Sequence, residues 1–200
     1  MWELYDALVE GIPSGIRVED FACGVSWSYV RTAESMGIAA TVKLFDRPPM
    51  HRGPVVGADL RDIAALSKSW NLVEASLGVA AINCWYNAPA RMQALGHLPP
   101  GCLSLPPSRR PKTREDKEAF FSSAEHVRGR KVAVIGHFAH LERTFSDICD
   151  LTVLERTPGK TDYIDSACEY LLAEQDCVFI TGMTLANKTL ERLLAAAAGT

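Results

Sequence analysis

Apolar positions recur along this chain in two rhythms, and the change between them divides it. In Met1–Glu10, Leu4, Leu8 and the rings of Trp2 and Tyr5 gather near one side of a helix, which Gly11-Ile12-Pro13-Ser14-Gly15 ends. Three strand-like runs follow: Ile16–Ala22, Ser26–Thr32 and Ile38–Phe45. Connections as short as Cys23-Gly24 and residues 34–37 predict antiparallel pairing, a β-meander. Residues 47–57 hold three prolines and read as a loop. Asp59 then predicts the N-cap of a helix through Leu60, Ile63, Ala64 and Ser67. A second helix, about Asn71 to Tyr86, is crowded with Ala75, Ser76, Gly78, Ala80 and Ala81, small residues that let a helix sit close to a sheet. The first unit therefore reads α-β-β-β-α-α.

Leu98–Lys117 breaks the pattern with five of the eleven prolines and a basic cluster, Arg109, Arg110, Lys112 and Arg114. Such proline density favours extended, semi-rigid chain, and no interleaved aromatics support stacking on bases, so a solvated linker is expected rather than a nucleic-acid contact. Beyond it, strands and helices alternate. Lys131–Gly136 is a near-continuous apolar run, the mark of a strand buried on both faces. Leu141, Phe145 and Ile148 outline a helix, and Leu151–Leu154 a second strand. Asp162–Glu174 reads as a helix with Ile164, Ala167, Cys168 and Leu171 inward; Cys177–Ile180 is a third strand and Thr184–Ala198 a last helix. Alternation of this kind predicts an α/β architecture with a parallel, Rossmann-like sheet. The expected boundaries are an α+β domain over 1–97, a linker over 98–117 and the parallel-sheet domain over 118–200.

Composition narrows the function classes. A hydrophobic content of 48% with 22% charged residues suits a globular chain with a real core, and a net charge of −3 gives no general pull toward nucleic acid or an anionic membrane. The acidic N-terminus lacks the basic start and apolar run of a signal peptide, and no apolar stretch approaches the ~20 residues of a membrane helix. The six cysteines are scattered without a C-x-x-C pair, against both a zinc site and a disulfide framework. A cytoplasmic, reduced protein is expected.

In a parallel sheet the carboxyl ends of the strands meet along one edge, where ligands bind. Three such ends carry chemistry: Gly136-His137-Phe138, Glu155-Arg156 and Thr181-Gly182-Met183-Thr184. Gly136 fits the first position of G-x-G-x-x-G, but Phe138 and Leu141 occupy the second and third, so a pyrophosphate cannot approach the backbone and NAD is disfavoured. Glu155 stands where a ribose-binding acid would sit; a nucleoside or another small polar ligand stays open, as does plain pairing of Glu155 with Arg156 or Lys160. At the third end, Thr184 as a helix cap with Asn187 and Lys188 over the same face suggests a held carboxylate or phosphate, because a first-turn lysine opposes the helix dipole. Pairing of Lys188 with Glu191, or a solvent position, is the alternative. His137 and His140 are spaced to share a metal, yet no third ligand is placed, and no metal-ligand set is assigned. His137 is the ionisable group at the first strand end and the candidate general acid/base, with Lys188 to stabilise negative charge. In the first unit, Trp70, Asn71 and Glu74 cluster at a helix start and Asn83 and Asn87 near its end; they either line a cleft or cap and bridge.

Four runs carry a family resemblance: Ser69–Asn83 (SWNLVEASLGVAAIN), Gly136–Phe138 (GHF), Leu154–Pro158 (LERTP) and Thr181–Thr189 (TGMTLANKT). Together they make the chain similar to the heavy-metal chelation domain proteins, a family of uncharacterised function. The resemblance implies an enolase-N-terminal-like α+β domain followed by a Rossmann-like domain, with the site in the cleft between them. It also implies condensation or hydrolysis chemistry in making pterin-, flavin- or siderophore-like chelators, linked to heavy-metal handling. Family members continue with a further strand and a Gly-Pro-Ser loop where this sequence ends at Thr200, so a C-terminally short sheet, or an edge supplied by a partner chain, is expected; a homodimer is compatible with this.

The reading is of a protein that binds a small anionic or metal-chelating molecule, its cofactor unassigned beyond a heavy metal or metal chelate. Gly136, His137 and Phe138 floor the site, and Glu155 beside Arg156 accepts from the ligand. Thr181, Gly182, Thr184, Asn187 and Lys188 hold an anionic group, and Asn71, Glu74 and Asn83 face it. Two alternatives stand beside this: a non-catalytic metal-chelate binding protein associated with transport, and an S-adenosylmethionine-type methyltransferase, the latter weakened by the missing glycines.

Overall fold

A computed structural model describes residues 2–42, 48–94, 123–138 and 141–198. The expected linker with its basic cluster, the end of the third strand-like run and His140 fall outside the described residues. The chain packs as two compact units. One comprises the described part of Met1–Ser104 with Gly182–Thr189; the other comprises the described part of Leu105–Thr181 with Leu190–Thr200.

The first unit is an antiparallel sheet covered by helices. After α1 (Glu3–Glu10), the meander β1 (Asp20–Cys23), β2 (Trp27–Arg31), β3 (Met36–Ala40) pairs in the order β1-β2-β3, with Tyr29 opposite Ala22 and Ile38. Val30 is fully buried, while Trp27 and Ile38 are exposed, as alternation along a half-buried strand requires. Asp59 caps α2 (Leu60–Ala65) by accepting from the Arg61 N–H at 3.0 Å, and a tight turn over Leu66–Lys68 continues it. Asn71 caps α3 (Leu72–Tyr86) by accepting from the N–H groups of Val73 and Glu74. Next comes α4 (Pro89–Ala94). The small residues of α3 serve close packing. A Cβ on Gly78 would stand 2.0 Å from the Ser67 backbone nitrogen, and one on Gly37 of β3 would stand 2.0 Å from that of Cys84. Ile12, Val18, Val30, Leu60, Ile63 and Ile82 form the centre of this core. The short helix Met183–Ala186 joins it through buried Ala186, and the Tyr5 hydroxyl donates to the Leu185 carbonyl at 2.7 Å.

The second unit is a parallel sheet. After α5 (Ala124–Val127) come β4 (Lys131–Ile135), α6 (Leu141–Phe145), β5 (Asp150–Glu155), β6 (Tyr163–Ile164), α7 (Cys168–Leu171) and β7 (Cys177–Ile180). Helix Met183–Ala186 of the first unit is α8, and α9 (Leu190–Ala196) returns the chain to the second. The strands run β6-β5-β4-β7, all parallel, which is the 3-2-1-4 part of the doubly wound order with its switch point between β4 and β7. β4 is buried on both sides. Val132 and Val134 pack with Leu141, Phe145 and Val153; Ala133 and Ile135 pack with Leu154, Cys168, Leu172 and Leu193.

Two elements differ from the sequence reading. Asp162–Glu174 is not one helix: Tyr163 and Ile164 pair with Leu154 and Glu155 as a fourth, edge strand, and Ile164 is exposed rather than inward. Ladder hydrogen bonds and the β preference of an aromatic and a β-branched residue outweigh a weak helical period. Only Cys168–Leu171 is α-helical, with Cys168 and Leu172 buried. Thr184–Ala198 is likewise broken. Asn187 Oδ1 accepts from both the backbone N–H and the hydroxyl of Thr189, and Lys188 takes φ +65°, the left-handed region. Such local side-chain bonds compete with the helical ladder and split the run into α8 and α9.

Candidate functional site

β4 delivers its carboxyl end at the switch point, and the turn beyond it is held by its neighbours. Gly136 has φ +105°, and a Cβ there would sit 3.3 Å from the Phe138 ring and 3.4 Å from Thr181 Cβ and Cγ2. Glycine is required for that turn. The next residue is held by its backbone: the His137 N–H donates to Glu155 Oε2 at 2.9 Å. Glu155 Oε1 accepts from the N–H groups of Arg156 (2.6 Å) and Thr157 (3.4 Å). Glu155 thus serves the loops after β4 and β5 rather than pairing with Arg156 or Lys160. Arg156 is turned to Asp165, 3.7 Å away.

The His137 ring lies between two carboxylates. Its Nδ1 is 3.1 Å from both oxygens of Asp162, whose side chain is 2% exposed and whose Oδ2 also accepts from the Gly159 N–H at 2.8 Å. Its Nε2 is 3.5 Å from Glu142 Oε1 in the first turn of α6, on a face where both side chains are over 40% exposed. The hydrogen bond to Asp162 is the largest cause raising the His137 pKa above its ordinary value; burial opposes it, and the charges of Asp162, Glu142 and Glu155 add to it. In the neutral ring, Asp162 selects the Nδ1–H tautomer and leaves the Nε2 lone pair facing Glu142.

One ligand atom from each of His137, Glu142 and Asp162 lies within 4.8 Å of the others, the one such grouping among the described residues. Its donors are imidazole nitrogen and carboxylate oxygen, a set that fits borderline divalent metals. No thiolate among the described residues contributes. Cys84 and Cys168 are buried, and burial raises the thiols of Cys23, Cys149, Cys168 and Cys177. Glu142 and Asp162 were missed in the sequence. Asp162 stands far from His137 in the chain, in a Gly159–Asp162 turn, and Glu142 reads in the sequence as an ordinary charged residue of a helix's first turn.

Thr181 stays in the second unit beside Gly136, and the remaining sequence candidates are placed in the first unit. Gly182 is the N-cap of α8, and Thr184 is a buried residue inside that four-residue helix, not its cap. Lys188 follows the helix instead of entering its first turn, and its Nζ donates to the Ala186 carbonyl at 2.7 Å. Burial lowers its pKa to about 8. Asn71 caps α3; the Glu74 carboxylate accepts from the N–H groups of Met50 and His51 and from the Ser69 hydroxyl. Asn83 Nδ2 donates to the Ile38 carbonyl at 2.8 Å, bridging α3 to β3. Of the two readings for these residues, capping and bridging is what the contacts show. No helix among the described residues is long and apolar enough to cross a membrane.

Comparison with known proteins agrees with this architecture. Residues 5–86 match the DUF4213 family and residues 119–200 the DUF364 family, both described as "Putative heavy-metal chelation". An uncharacterised protein of Methanocaldococcus jannaschii is 27% identical over 188 residues; the match covers 89% of this chain and 65% of that relative's length. The crystal structure of a DUF364-family protein of unknown function from Desulfitobacterium hafniense is 38% identical with a TM-score of 0.83, covering 98% of this chain and 74% of the other. A second such protein, from Pyrococcus horikoshii, shares the fold at 19% identity and a TM-score of 0.68, with the same coverage. The chain belongs to this two-domain heavy-metal chelation family.

Proposed function

We propose that the protein binds a metal ion, presented by a small anionic chelating molecule, at the carboxyl edge of its parallel sheet, with the His137 ring as the anchor. The observation that carries this reading is the buried Asp162 carboxylate on Nδ1, which frees Nε2 as a lone-pair donor beside Glu142. A carboxylate on the far ring nitrogen is the usual support of a metal-binding histidine. The family description supports the same direction. The role is heavy-metal handling, and the metal is cargo.

A second reading rests on the same pair. A histidine oriented by a buried aspartate is also a general base, so condensation or hydrolysis of a chelator precursor would run through His137 Nε2, with proton transfer to and from that atom. Titration calorimetry with Zn(II), Ni(II) and Co(II), each with and without a chelator, tests the metal-binding reading. Binding to the wild-type chain that is lost in His137→Ala supports it; equal binding by both contradicts it.

A further inference from the structure

Asp162 and Glu142 flank the same ring but differ in what they are free to do. Asp162 is enclosed, faces Nδ1 with both oxygens and also holds the Gly159 N–H. Glu142 is exposed and has its Oε1 3.5 Å from Nε2. Neighbouring ligand atoms bound at ~2.0–2.1 Å to one metal stand ~2.9 Å apart in an octahedral sphere and ~3.4 Å in a tetrahedral one, so Nε2 and Oε1 already stand at the tetrahedral spacing and close by about 0.6 Å, within the reach of an exposed glutamate, to become adjacent octahedral ligands.

We infer that the protein gives the metal only two donors, His137 Nε2 and a Glu142 oxygen, and that Asp162 is a positioning residue rather than a ligand. This rests on the proposed function and makes it specific. With two protein donors, most of the coordination sphere belongs to the small molecule. The site therefore selects chelates of borderline divalent cations that leave two adjacent positions open, and it rejects both saturated chelates and thiolate-seeking ions.

The probes are Ni(II)–nitrilotriacetate, which leaves two positions open, and Ni(II)–EDTA, which leaves none. Each is titrated into the full chain by equilibrium dialysis, with the visible spectrum of the bound nickel recorded. Nitrilotriacetate-bound nickel binds 1:1 with a changed spectrum, and the EDTA complex does not bind. His137→Ala abolishes binding, with His137→Gln as the second variant should the first fail to fold. Glu142→Gln weakens binding about tenfold, and Asp162→Asn by about 10–100-fold while retaining the 1:1 ratio, as loss of a supporting carboxylate does. Tight binding of Ni(II) alone with exclusion of its nitrilotriacetate complex would overturn the two-donor inference and leave the proposed function standing. Unchanged binding in both His137 variants, or no binding of nickel in any form, would overturn both.

Discussion

The backbone N–H of His137 donates to the Glu155 carboxylate at 2.9 Å, so one side chain at the end of β5 fixes the turn after β4. Two further amides, of Arg156 and Thr157, share that carboxylate. Glu155→Ala leaves all three without this acceptor. Hydrogen bonds to a charged group contribute about 1.5–3 kcal/mol when buried, and partial exposure here puts the expected loss near the low end. Urea unfolding measures it, and Glu155→Gln recovers part of it because an amide oxygen still accepts.

The His137–Asp162 pair makes a pH-dependent contribution to the metal-free chain. The folded-state pKa of His137 is raised, chiefly by the hydrogen bond to Asp162, above an unfolded value of 6.5. The protonated ring is thus favoured in the folded state. Its stabilisation is fully present below the unfolded value and disappears as pH rises through the folded one. The stability difference between wild type and His137→Gln, measured by denaturant in EDTA, is expected to be largest in mildly acidic buffer and to shrink with increasing pH. A difference that grows with pH would contradict the pairing.

Lys188 combines a left-handed backbone with a half-buried ammonium. Lys188→Gly relieves backbone strain of about 1–2 kcal/mol and is expected to raise the melting temperature, less the lost bond to Ala186. The sign of the pH effect comes from a folded pKa of about 8 against 10.5 for the free side chain. The unfolded chain binds more protons between those values, so wild-type stability gains with pH there, and this gain vanishes in the glycine variant.

Gly78 tests the helix packing of the first unit. A methyl group there meets the Ser67 backbone at 2.0 Å, and backbone cannot step aside as a flexible side chain can. Gly78→Ala is expected to destabilise by about 3 kcal/mol or more despite the better helix propensity of alanine. Thermal melting decides it.

Where burial was two-sided or a cap was local, the sequence disclosed the structure. β4 and Cys177–Ile180 are legible because continuous apolar runs have few other uses, and the Asp59 cap because capping is a contact between near neighbours. Tyr163-Ile164 and the break at Asn187–Thr189 are not, since each depends on bonds that compete with a plausible helical period. The site divides the same way. His137 could be singled out as the ionisable group at a strand end. Asp162 reaches it only after the chain has crossed β5 and turned, which no local spacing records.

X-ray absorption of the nickel-loaded full chain tests the central claim most directly, since it reports which atoms of the protein touch the metal. The account predicts a shell of nitrogen and oxygen near ~2.1 Å with one imidazole contribution that is lost in His137→Ala, and no sulfur near ~2.3 Å. A sulfur shell, or an imidazole signal that persists in His137→Ala, would contradict it.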